Sequence, residues 1–94
     1  MKHQIIHEEK YQQFTAKIGT EDEEGELAYA KPNQGVLDLT HTYVPEAYRG
    51  TGLAQELIET ALAYARRHNL KIIATCVAVK KHIAQHPEHQ DLLH

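Results

Sequence analysis

The chain has 94 residues, 41% of them hydrophobic and 24% charged, with a formal net charge of −3. That length supports one domain with one small core over residues 1–94 and excludes a large enzyme with a separate cofactor domain. The acidic balance excludes an electrostatically driven nucleic-acid binder, so the basic pairs Arg66-Arg67 and Lys80-Lys81 read as solvated helix positions.

In chain order, residues 3–8 around Ile5-Ile6 are expected to form an edge strand. Residues 11–18 alternate, with Phe14, Ala16 and Ile18 on one face and Gln13, Thr15 and Lys17 on the other, as in a half-buried strand. The acidic stretch over 20–25 reads as a solvated hairpin loop and lacks the ligand spacing of a calcium loop. Residues 26–31 alternate again, and Pro32-Asn33-Gln34-Gly35 is a strong turn signal. Residues 36–44 form the next strand, apolar on both faces, with His41 on the face of Leu37, Leu39 and Tyr43. Pairing should fail near Pro45, which has no N–H to donate.

From Thr51 to about His68 the period becomes helical. Leu53, Ala54, Leu57, Ile58, Ala61, Leu62 and Ala65 make one apolar stripe, and Asn69 suits a left-handed terminator. Residues 70–76 read as a short buried strand and 77–85 as a second helix stopped by Pro87, with an irregular polar tail over 86–94. Strands first, then helix, strand, helix, predict an α/β fold: a mixed sheet of antiparallel N-terminal strands followed by a β-α-β-α unit with a locally parallel pair.

Cys76 is the single cysteine, so no intramolecular disulfide forms. The N-terminus lacks a signal-peptide apolar core and no run is long enough to span a bilayer, so a soluble cytoplasmic protein with no membrane association is expected. Among eight histidines, His82 and His86 stand at i, i+4. Pro87 should break that helix, however, and no His-Glu-x-x-His motif is present. No metal is therefore expected, and His82, His86, His89 and His94 read as adventitious binders at most.

The stretch from Val44 to Ala54 joins the strand over 36–44 to the long helix. Its glycines allow a tight turn with bare main-chain amides, and the helix that follows points its positive end at whatever lies in front. Arg49 adds a fixed positive charge. Neither a P-loop nor a dinucleotide fingerprint fits, because no Gly-x-x-x-x-Gly-Lys-Ser/Thr run exists and position 55 is Gln. What remains is Arg-x-x-Gly-x-Ala, formed by Arg49, Gly52 and Ala54.

Arg49-Gly50-Thr51-Gly52-Leu53-Ala54 resembles the acetyl-CoA pyrophosphate motif of GNAT-type N-acetyltransferases, and in particular of their minimal single-domain branch. The wider pattern includes Leu39, His41-Thr42, Val44-Pro45, Ala61, Ala65, Cys76, His86-Pro87-Glu88 and Asp91-Leu92. The resemblance implies a GNAT-like fold whose parallel strands splay apart. It implies that the amides of Arg49, Gly50, Thr51, Gly52, Leu53 and Ala54 hold the coenzyme A pyrophosphate, and that the pantetheine arm pairs with main chain at Thr42, Tyr43 and Val44. The thioester would then point toward His41 and Cys76. The implied activity is acetyl transfer from acetyl-CoA to an amine, with no metal; the alternative is a coenzyme A or acyl-CoA binding module with little catalysis.

Cys76 is the candidate nucleophile or proton donor, with His41 and His82 as partners. The branch commonly carries a tyrosine near position 82 and an aromatic at 89, where this chain has His82 and His89. The helices that larger relatives place between the first two strands are missing, which implies an open acceptor face suited to a peptide, a protein or a bulky amine.

Overall fold

The computed structural model describes residues 3–19 and 23–94. The acidic loop expected over 20–25 therefore lies partly outside the described residues. Five strands form one sheet in the order β1 (His3–Glu8), β2 (Gln13–Ile18), β3 (Glu24–Ala30), β4 (Val36–Tyr43) and β5 (Lys71–Ala74). The first three pairs are antiparallel and β4–β5 is parallel. The crossover is α1 (Leu53–Arg67), and α2 (Val77–Gln85) follows β5. Short 3-10 helices occur at Glu9–Tyr11, Glu46–Tyr48 and Pro87–Leu92.

The periods of two and of 3.6 meet in one core. Phe14, Ala16 and Ile18 of β2 and Leu27 and Tyr29 of β3 are buried. They form one cluster with Leu53, Leu57, Ile58, Ala61, Leu62 and Ala65, the whole buried stripe of α1. At Gly25 a Cβ would make ordinary contact with Leu53 and Leu57 of α1 at 3.5 Å and a tighter one with the Tyr43 carbonyl of β4 at 3.3 Å. Asn69 ends α1 at φ 57, with the Leu70 N–H on the Ala65 carbonyl at 2.8 Å, the left-handed stop its amide side chain tolerates.

Three features depart from the sequence expectations. The irregular tail is a 3-10 helix, started by Pro87, that buries Leu92 against α1 and bonds the His94 N–H to the Ile72 carbonyl. The strand expected over 70–76 stops at Ala74, because Cys76 already caps α2.

The third departure lies in β4. Ala28 pairs with His41 but Tyr29 pairs with Leu39, so Thr40 is an extra residue. This bulge reverses the alternation. Leu39, opposite the buried Tyr29, faces the core, and Thr42, opposite the buried Leu27, does so as well. His41 and Tyr43 turn to the other face and are exposed. The expectation that His41 shares the face of Leu37 and Leu39 is thus overturned, since a bulge leaves no mark on hydrophobic periodicity.

Candidate functional site

The head of α1 is bare. Its N-cap is Gly52 at φ 90, a conformation in which a side chain would be strained, and no side chain caps the helix. Among the described residues, no acceptor takes the amides of Gly50, Thr51, Gly52, Leu53, Ala54 or Gln55. Glu56, the acid of the first turn, is engaged with His3 Nε2 at 2.5 Å. The Thr51 hydroxyl donates back to the Tyr48 carbonyl, and Arg49 Nε donates to the Val44 carbonyl at 2.9 Å. The guanidinium is thereby pinned beside the turn. Arg49 lines a cavity of about 390 Å³ with Val44, Tyr48, Gly50, Gly52, Leu53, Ala54 and Gln55. A second groove, between α1 and α2, shares Ala54 and Gln55 with the first.

Pairing between the parallel strands ends short of this turn, because β5 stops at Ala74 while β4 runs on to Tyr43. Their register runs from Val36–Lys71 to Leu39–Ala74 and stops, with a last main-chain bond from the Cys76 N–H to the Leu39 carbonyl at 2.9 Å. Beyond it β4 continues to Tyr43, paired only with β3. The edge of β4 from Thr40 to Tyr43 therefore keeps main-chain hydrogen-bonding groups that β5 does not use, and such groups need a partner when covered.

Cys76 stands at the mouth of the split. Its Sγ lies 3.4 Å from the Thr42 hydroxyl, which the bulge has turned to that side. Burial pushes the thiol up, but the Thr42 hydroxyl and the nearby amides of Val79 and Ala78 at the head of α2 more than offset it. The thiol is held below its ordinary value.

The other two residues singled out for catalysis stand apart from the sulfur. His41 is exposed on the opposite sheet face, and its ring has no hydrogen-bond partner among the described residues. His82 is buried in α2, and its Nε2 meets Glu59 Oε2 at 2.6 Å. Neither histidine touches Cys76. His82 lines the groove between α1 and α2, with Ala54, Gln55, Ile58, Ala78 and Lys81.

Glu59 escaped the sequence reading, since nothing in the run of α1 singles it out. It receives His82 from α2 and His89 from the 3-10 helix, at 2.6 and 2.8 Å on the same carboxylate oxygen. Burial pushes its carboxyl up, and the bonds to His82 and His89 outweigh that and hold it below the ordinary value.

Residues 13–92 match the family model described as GCN5-related N-acetyl-transferase. Protein NATD1 of Gallus gallus is 35% identical over 97% of this chain and 83% of its own length. Protein NATD1 of Homo sapiens is 33% identical over 88% and 74%. The solution structure of a GCN5-like protein from Staphylococcus aureus superposes with a TM-score of 0.71 at 24% identity, covering 97% of this chain and 87% of the other.

Proposed function

Because the chain belongs to the GCN5-related N-acetyltransferase family, we propose that it moves an acetyl group from acetyl-CoA to the amine of a peptide, a protein or a bulky small molecule. The observation that carries this reading is the run of uncommitted amides from Gly50 to Gln55 at the head of α1, opening on a cavity near the stretch of β4 that β5 leaves unpaired. Such amides favour a diphosphate, and Arg49 supplies a fixed cation next to them. The edge of β4 at Thr42 and Tyr43, which β5 does not pair, suits the amide-bearing pantetheine arm, with the Val44 amide just beyond it; the Val44 carbonyl already accepts from Arg49.

In the transfer, the acyl carbon loses its bond to sulfur and gains one to nitrogen. The amine gives up a proton, and the departing thiolate must take one or leave as an anion. Cys76 is the group at the narrow end of the split that can act on this thioester, as nucleophile or as proton donor. Intact mass of the protein after mixing with acetyl-CoA alone separates the two roles: an acetyl adduct lost on Cys76→Ser marks the nucleophile.

The acceptor would lie against the second sheet face. α1 packs on β2, β3, β4 and β5, while α2 packs on α1 and β5 and the C-terminal 3-10 helix packs on α1 and α2. The opposite face carries His41 and Tyr43, both exposed, so it is open at that point. Only the 3-10 turn Glu9–Tyr11 separates β1 from β2.

The test is thiol release from acetyl-CoA with a panel of peptide and polyamine acceptors, beside calorimetric titration with coenzyme A. Turnover on any amine supports the transferase. Tight coenzyme A binding without turnover, and without an adduct on Cys76, supports the binding module instead. Absence of coenzyme A binding removes both.

A further inference from the structure

Away from the split, three elements deliver three donor atoms to one point. Glu59 comes from the middle of α1, His82 from the last turn of α2, and His89 from the 3-10 helix Pro87–Leu92. Both imidazole Nε2 atoms aim at a single oxygen, Glu59 Oε2, at 2.6 and 2.8 Å. The three donors all lie within 4.8 Å of one another. The histidine side chains are 6% and 13% exposed, while Glu59 keeps 46% exposure and so an open side toward solvent.

We propose that Glu59, His82 and His89 form a binding site for one divalent cation of the zinc type. The donor set decides the class. Two imidazole nitrogens and one carboxylate oxygen suit zinc and its borderline neighbours, whereas magnesium and calcium prefer shells of oxygen. Donors held about 2.0–2.1 Å from a tetrahedral cation stand roughly 3.3 Å apart. The carboxylate therefore has to withdraw by about half an ångström from its hydrogen-bonded position, and its exposed side leaves room for that. Three protein ligands leave a fourth position for water.

The neighbouring groups bear on strength. His86 stacks on His82 at 4.1 Å, and its Nδ1 is paired with the His82 carbonyl. That stack limits how far the His82 ring can turn. His89 Nδ1, by contrast, is buried without a partner, so no outer acceptor braces this ring as a metal-bound imidazole is usually braced. The site is accordingly expected to hold its cation reversibly rather than as a permanent structural ion. A bound cation would replace two hydrogen bonds by bonds that tie α1, α2 and the chain terminus together, along one wall of the second groove.

Sequence spacing could not show this site. The pair at i, i+4 is His82 and His86, yet the converging ring is His89, and the carboxylate belongs to another helix. The proposal is independent of acetyl transfer.

The experiment uses the full chain without an affinity tag, stripped with a chelator. Zinc affinity is read by competition with a chromogenic chelator, for wild type, Glu59→Gln, His89→Gln and His94→Ala. One equivalent bound by wild type and by His94→Ala, weakened at least about tenfold in Glu59→Gln and His89→Gln, supports the site. Zinc at a hundred times its dissociation constant should also raise the wild-type melting temperature by roughly 10–20 °C. If Glu59→Gln fails to fold by circular dichroism, His89→Gln alone carries the comparison. Cobalt(II) in place of zinc should give the intense visible bands of a tetrahedral site. Equal affinity across all four proteins, or loss in His94→Ala alone, would place the ion on exposed histidines and overturn the proposal. So would a weak octahedral cobalt spectrum.

Discussion

The Thr42 hydroxyl meets the Cys76 sulfur at 3.4 Å at the point where the parallel strands separate. The contact exists because Thr40 is an extra residue in β4: without the bulge, Thr42 would point to the far side of the sheet. A backbone irregularity thus sets the electrostatics of the thiol.

The thiol should titrate below its ordinary value, because the hydroxyl and the α2 amides outweigh burial. The rate of iodoacetamide alkylation against pH reports the thiolate directly. Wild type should inflect below the midpoint of a model thiol, and Thr42→Val should move the midpoint up and slow alkylation at neutral pH. An unchanged midpoint in Thr42→Val would leave the amides as the sole cause.

Coenzyme A binding should be weakened without loss of stability in Gln55→Glu. A Gly52→Glu variant is a poor probe, since the φ of 90 would strain any side chain. Gln55 lies on the cavity wall in the first turn of α1, where a carboxylate suits the dipole by about 0.3–1 kcal/mol. The same carboxylate facing a pyrophosphate should cost about 1–3 kcal/mol of binding, roughly ten- to hundredfold. Denaturant melts and calorimetry together check both halves. Unchanged affinity would move the diphosphate away from this turn.

Leu92→Ala should cost about 2–4 kcal/mol in urea unfolding. Leu92 is 4% exposed and belongs to the same cluster as the α1 stripe, although it lies in a polar segment. A loss below about 0.5 kcal/mol, ordinary for a surface site, would mean the C-terminal 3-10 helix is not docked in solution.

His7 should titrate below 6.5, because burial disfavours its charged form. Its ring stacks on Phe14 at 4.2 Å and its Nε2 pairs with the Tyr29 hydroxyl at 2.6 Å. The unfolded chain then binds a proton at a higher pH than the folded one. Stability is full above the unfolded value and falls as pH drops through the folded value. NMR titration of the ring should give a midpoint under 6.5, and His7→Phe should flatten this part of the pH–stability curve. A midpoint at or above 6.5 would contradict the burial argument.

Much of this was legible in the residues. The stripe from Leu53 to Ala65 announced α1, Asn69 announced its stop, and Gly50 and Gly52 announced the bare turn, because each acts through local backbone geometry. What stayed hidden depends on partners distant in the chain. The bulge at Thr40 is defined only by pairing with β3, so His41 was placed on the wrong face. Glu59 looks like any helix carboxylate until α2 and the terminus fold over it. The tail read as irregular because only tertiary burial of Leu92 organises so polar a segment.

Cys76 has two structural duties in a single residue. Its amide forms the last rung between β5 and β4, and its carbonyl accepts the first bond of α2, from Lys80 at 3.0 Å. The sulfur sits on the pivot between sheet and helix. A tilt of α2, whether driven by a ligand in the neighbouring groove or by a change at the helix's far end, swings about this hinge and carries the thiol with it. Reactivity of that one side chain is therefore a built-in gauge of helix orientation, readable with a small alkylating reagent and no label.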